Sequence, residues 1–146
     1  MTTDLVYGMI GGLVAGLIVL VLRRIGPRWI RPQAHDISDV ARYLVAESRV
    51  DHVGLWEPVI RLRDLGPADD ATIMRTTLDM LLPLLSTGQI LAGQFATDSD
   101  EFQIWEMDPK DVIARIEREW IILGRDPALG DIAWFVDGPE WVDPSP

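Results

Sequence analysis

The sequence predicts an α+β chain: one N-terminal transmembrane helix, then a small soluble domain of helices, a β-hairpin, a further helix and a short strand. Three observations carry this. Residues 5–22, LVYGMIGGLVAGLIVLVL, hold no charge and no strongly polar side chain. Apolar residues then recur at helical spacing over 36–49, 55–65, 70–87 and 108–123. Between the last two of these segments the period drops to two, over 89–96 and 102–107.

The 18 uncharged residues would span about 27 Å as a helix, close to the hydrocarbon thickness of a bilayer. A cleaved leader would carry positive charge ahead of the run and a small-residue site after it. Here Met-Thr-Thr-Asp leads and Arg23-Arg24-Ile25-Gly26-Pro27 follows. A buried core helix of this length would show a polar face, and this run has none. Arg23, Arg24, Arg28 and Arg31 crowd the C-terminal flank, with Trp29 among them at the level expected of a headgroup-layer indole. The positive-inside tendency then puts the N-terminus outside and the rest of the chain in the cytoplasm, at the inner (cell) membrane. Within the run Gly8, Gly12 and Gly16 recur every four residues, a ridge on which another helix can pack closely. Glycine is also common in membrane helices generally, so the ridge alone does not choose between packing and anchoring.

Each remaining segment has a local reason. Gly26-Pro27 ends the first helix, and residues 26–35 form a basic linker. Asp36 or Ser38 caps a helix with Val40, Leu44 and Val45 as its apolar stripe. Leu55, Val59 and Leu62 mark a second helix, whose start is blurred by Pro58. Asp69 or Asp70 caps a third, ended by Gly88, with Met74, Leu78, Leu81, Leu82 and Leu85 inward, Ile73, Met80 and Leu84 widening that face, and Pro83 inside it. A hairpin follows, its tip at residues 97–101. Asp108-Pro109 starts a helix with Val112, Ile113, Ile116, Trp120 and Leu123 on one stripe, and Gly124 stops it. Residues 132–136, IAWFV, form a short strand able to join the hairpin, and 137–146 are a loose proline-rich tail. The organisation is thus an anchor at 1–25, a linker at 26–35, an acidic domain at 36–136 and a tail. A helical core followed by a hairpin is winged-helix-like, with the 70–87 helix in the recognition position.

Charge argues against the nucleic-acid use of that architecture. The net charge is −10 overall, but residues 1–35 carry four Arg against one Asp, while 36–146 carry nine Lys/Arg against 22 Asp/Glu. A domain this acidic repels polyanions and favours basic or apolar protein surfaces. With no cysteine, disulfides, thiolate catalysis and cysteine zinc sites are excluded. His35 and His52 flank the first soluble helix rather than sharing a face, so they are expected as solvated polar positions, not a metal pair. Asp98, Asp100 and Glu101 lack the glycine and further ligands of a calcium loop. Glu117, Glu119 and Asp131 could be paired carboxylates, but the arginines beside them suggest surface ion pairs. No nucleophile motif or phosphate loop is present, so no enzyme and no cofactor are expected.

Residues 105–109 (WEMDP), 117–120 (EREW), 123–127 (LGRDP) and 130–135 (GDIAWF) resemble the C-terminal half of small uncharacterised actinobacterial proteins. The resemblance covers roughly residues 55–136 and implies a shared domain fold and an actinobacterial source, without an activity. Its members are mostly soluble, so the apolar N-terminus is a departure from them.

The expected function is a membrane-tethered protein-interaction module, an accessory subunit or adaptor that packs on another membrane protein, or on itself, through its glycine face. The alternatives are an immunity or inhibitor protein masking a basic partner surface and, third, a membrane-tethered regulator.

Overall fold

The computed structural model describes residues 34–139, all within one compact unit, residues 34–146. Four helices and a four-stranded antiparallel sheet alternate along them: α1 (Ile37–Ser48), β1 (Val53–Gly54), α2 (Trp56–Asp64), α3 (Asp70–Ser86), β2 (Ile90–Phe95), β3 (Phe102–Ile104), α4 (Pro109–Leu123) and β4 (Trp134–Asp137).

The helix ends are set by local chemistry. Asp36 Oδ1 accepts from Asp39 N at 2.9 Å, and Asp69 Oδ1 accepts from Thr72 N at 2.7 Å, so each aspartate satisfies one of the donors a helix start leaves open. Pro58 falls in the first turn of α2, where its missing N–H costs no intrahelical bond. α3 closes with Gln89 N donating to Leu84 O and Gly88 N to Leu85 O, which requires the positive φ of 71° that Gly88 supplies. Val40, Leu44 and Val45 are buried from α1, and Val112, Ile116 and Trp120 from α4, as their spacing requires. In α3 six of the eight expected apolar positions are buried: Ile73, Leu78, Met80, Leu81, Leu84 and Leu85. Met74 and Leu82 are only half-buried, while Thr77 is fully buried and donates its hydroxyl to Ile73 O at 2.7 Å. A hydroxyl satisfied by its own helix can occupy a core position, which is why hydropathy alone missed Thr77.

The strand order is β1-β4-β2-β3. β2 pairs with β3 through Gly93↔Ile104, Gln94↔Gln103 and Phe95↔Phe102, and with β4 from Ile90↔Asp137 to Gly93↔Trp134. β4 also pairs with β1 through Val53↔Phe135. Phe135, fully buried, sits in register between Ala92 and Val53, both of them also in the core. Burying that ring draws β4 into the middle of the sheet, and this corrects the winged-helix-like expectation. The hairpin is not a projecting wing but one half of a four-stranded layer, in which β4, from residues 134–137, lies between β1 and β2.

The transmembrane expectation is also corrected. Among the described residues no helix is long and apolar enough to cross a membrane. The longest, α3, has 17 residues and carries Asp70, Arg75 and Asp79, whereas a span needs about 20 apolar ones. The single-pass description, the membrane as partner and the inner-membrane placement with a cytoplasmic domain are withdrawn on this finding. Residues 5–22, with Gly8, Gly12 and Gly16, lie outside the described residues, as do Arg23, Arg24, Arg28, Trp29 and Arg31.

Candidate functional site

Strand side chains alternate between faces, so the register divides the sheet into two surfaces. Val53, Ile90, Ala92 and Phe135 point to the helices and are 0–3% exposed. Gly54, Leu91, Gly93, Phe95, Phe102, Ile104, Trp134 and Val136 share the opposite face. Its large side chains are only half-buried, and Ile104 is 47% exposed. None of these side chains belongs to the hydrophobic core, and α1 and α3 meet the sheet through its other face. Trp56, at the start of α2, lies over Gly54 at the β1 end of this surface, while the side chains of β2, β3 and β4 on it stay half-exposed.

Aromatic rings give the face its structure. Phe95 lies 5.4 Å from Phe102 and 5.2 Å from Trp134, both edge-on. His52, arriving from the α1–β1 connection, places its ring 4.9 Å from Phe95 and 4.7 Å from Phe102. Offset and edge-to-face contacts at such distances are the favoured aromatic geometries. Gly93 makes the arrangement possible: a Cβ there would lie 2.7 Å from Phe102 Cζ and 2.3 Å from Gln103 O. The glycine lets the Phe102 ring lie flat across β2.

This corrects the reading of His52 as a solvated polar residue. Its backbone N–H donates to Asp51 Oδ1 at 2.7 Å, its Nδ1 lies 3.3 Å from the same oxygen, and its ring joins the hydrophobic cluster. His35 is exposed at the start of α1, and its backbone N–H donates to Asp39 Oδ2. The two histidines are not brought together. Among the described residues no group of three His, Asp or Glu side chains is placed to hold a metal. Glu119 is engaged by Arg115 Nε at 3.3 Å. Asp131 accepts from Ala128 N and Arg125 Nη1, both at 2.8 Å. These bonds, the backbone N–H first and the guanidinium after it, hold the Asp131 carboxyl below the ordinary carboxylate range.

A shallow groove of about 230 Å³ opens between α1 and the end of α3, over Ala41, Val45 and Leu84. Small-molecule sites are commonly about 300–1,000 Å³ and enclosed, so this groove is a poor candidate. The extended aromatic face is the better one. Its components were legible only as alternating strand residues. Which alternate set faced away from the helices depended on register and on β4, neither of which is a local property.

No protein-family model, curated protein or solved structure matches this chain.

Proposed function

We infer that this chain is a protein-interaction module whose docking surface is the open aromatic face of the sheet. The observation that carries the reading is the half-exposed set Leu91, Phe95, Phe102, Ile104 and Val136, gathered on one face by the register and left uncovered by the described helices. Contiguous apolar surface of this kind, held rigid by a packed sheet, is what protein interfaces are made of. The aromatic rings, ordered by contact with one another, lose little further freedom on binding.

Site-specific photocrosslinking in cells tests this. A photoreactive residue replacing Leu91, Ile104 or Val136 should give one discrete adduct band. The same group at Glu117 or Arg118, exposed on α4, should give none. Adducts of equal yield from both sets, or from α4 alone, would move the docking surface to the helices.

A further inference from the structure

We propose that the occupant of this face is an arginine-bearing protein segment; the proposal rests on the open face being the docking surface. The distribution of charge carries it. All nine Lys and Arg of the described residues lie on the helices or beside their ends: Arg42 and Arg49, Arg61 and Arg63, Arg75, Lys110, Arg115 and Arg118, and Arg125. The strands hold none. Between Arg75 and Lys110, where β2, β3 and their turn are formed, six carboxylates occur without one basic residue.

Three of those carboxylates, Asp98, Asp100 and Glu101, lie in the turn next to the rings. The Phe95↔Phe102 pair is the last of the β2–β3 ladder, and Ala96 N donates to Glu101 O just beyond it. Asp98, Asp100 and Glu101, all exposed, therefore lie in the turn at the aromatic end of the sheet. Asp51 reaches the same end, because the His52 ring next to it touches both phenyl groups. A second copy of this chain would bring a matching set of carboxylates against these, at a like-charge cost. A nucleic acid would meet the same repulsion. A cationic partner would gain from the same arrangement. The face is an open, extended sheet surface, so it suits a segment of a macromolecule rather than a small cation.

Arginine fits better than lysine. Its planar, weakly hydrated guanidinium stacks on an aromatic ring and forks onto carboxylates at once, while an ammonium is a strongly hydrated point charge. The chain itself stacks an arginine on an aromatic ring twice, once with a carboxylate bound as well. Arg61 lies 3.3 Å above the Tyr43 ring, and Arg115 lies 3.9 Å above Trp105 while its Nε bonds Glu119. A partner arginine laid on Phe95 or Phe102 would lie next to the acidic turn of residues 98–101.

The test uses the full-length protein and three labelled synthetic peptides with the same alternating valines, their polar positions being all Arg, all Lys or all Glu. Fluorescence anisotropy should show the Arg peptide binding, the Lys peptide about fivefold weaker, and the Glu peptide not binding. Asp98→Asn/Asp100→Asn/Glu101→Gln should weaken the Arg peptide by roughly tenfold. Phe102→Ser/Ile104→Ser should abolish its binding, and a melting midpoint near wild type shows that this variant is folded. Equal binding of Arg and Glu peptides, lost in Phe102→Ser/Ile104→Ser, would overturn the arginine assignment and leave the docking face standing. Arg-peptide binding indifferent to Phe102→Ser/Ile104→Ser would overturn the placement on this face. Absence of binding by every peptide, or a dimer dissociated by Ile104→Lys, would overturn the proposal, the dimer by making a second copy the occupant.

Discussion

Tyr43 and Glu57 form a buried polar contact between α1 and α2. The hydroxyl donates to Glu57 Oε2 at 2.9 Å, and Glu57 is only 3% exposed. Burial first, then the Glu57 charge, raises the phenol above its ordinary value near 10. A group bound to its proton more tightly in the folded state stabilises fully below the unfolded value, and that contribution is lost as pH rises through the folded one. Urea unfolding midpoints should therefore fall above pH 10 in the wild type. In Tyr43→Phe this alkaline component should vanish, at a cost of about 1–2 kcal/mol at neutral pH from the donor that Glu57 loses. A Tyr43→Phe protein with the wild-type alkaline profile would show that another group controls it.

At the scale of elements, one side chain ties three segments. Arg63 on α2 donates Nε to Asp126 Oδ2 at 2.9 Å and Nη2 to Asp126 Oδ1 at 3.0 Å. The same Nη2 reaches Asp70 Oδ1 at the start of α3, and Nη1 donates to Ala68 O at 2.9 Å. These partners raise the guanidinium's affinity for its proton, so Arg63 itself stays charged at any accessible pH. Arg63→Ala should lower stability by about 1–3 kcal/mol in urea denaturation, the upper end reflecting a bidentate, partly shielded pair. Arg63→Lys should recover little, since one ammonium cannot make the fork and reach Ala68 O together. Full recovery by lysine would mean that the clamp acts by charge alone. Its target, residues 124–133, leads directly into β4. The clamp thus holds the entry to the sheet's interior strand.

Across the whole molecule, the sheet divides two kinds of apolar surface. Its inner face closes a single core running from Val40 and Leu44 through Leu81 and Ile116 to Phe135. Its outer face keeps aromatics half in solvent. Phe135→Ala should cost about 3–5 kcal/mol, because it empties a fully buried position. Ile104→Lys, at an exposed position of the edge strand, should stay within about 0.5 kcal/mol of wild type. Thermal and urea unfolding of the two variants, measured together, check the division. A large loss in Ile104→Lys would show that the outer face supports the fold rather than a partner.

Much of this was local and therefore legible in the sequence. Asp36, Asp69 and Asp108-Pro109 start helices, and Gly88 and Gly124 end them, because caps act on the nearest turn alone. The hairpin's period of two, the stripes of α1 and α4 and the acidic surplus needed no partner element either. Tertiary structure decided what depends on distant pairing. β1 has two residues, too few for any periodicity, and exists because Val53 meets Phe135. β4 was readable as a strand, but its central place follows from burying one ring between β1 and β2. His52 read as solvated because its neighbours Phe95 and Phe102 lie more than 40 residues away in sequence. The candidate docking face has the same origin: strand alternation gives two sets of side chains, and only the packing of the helical layer on one of them leaves most of the other facing out.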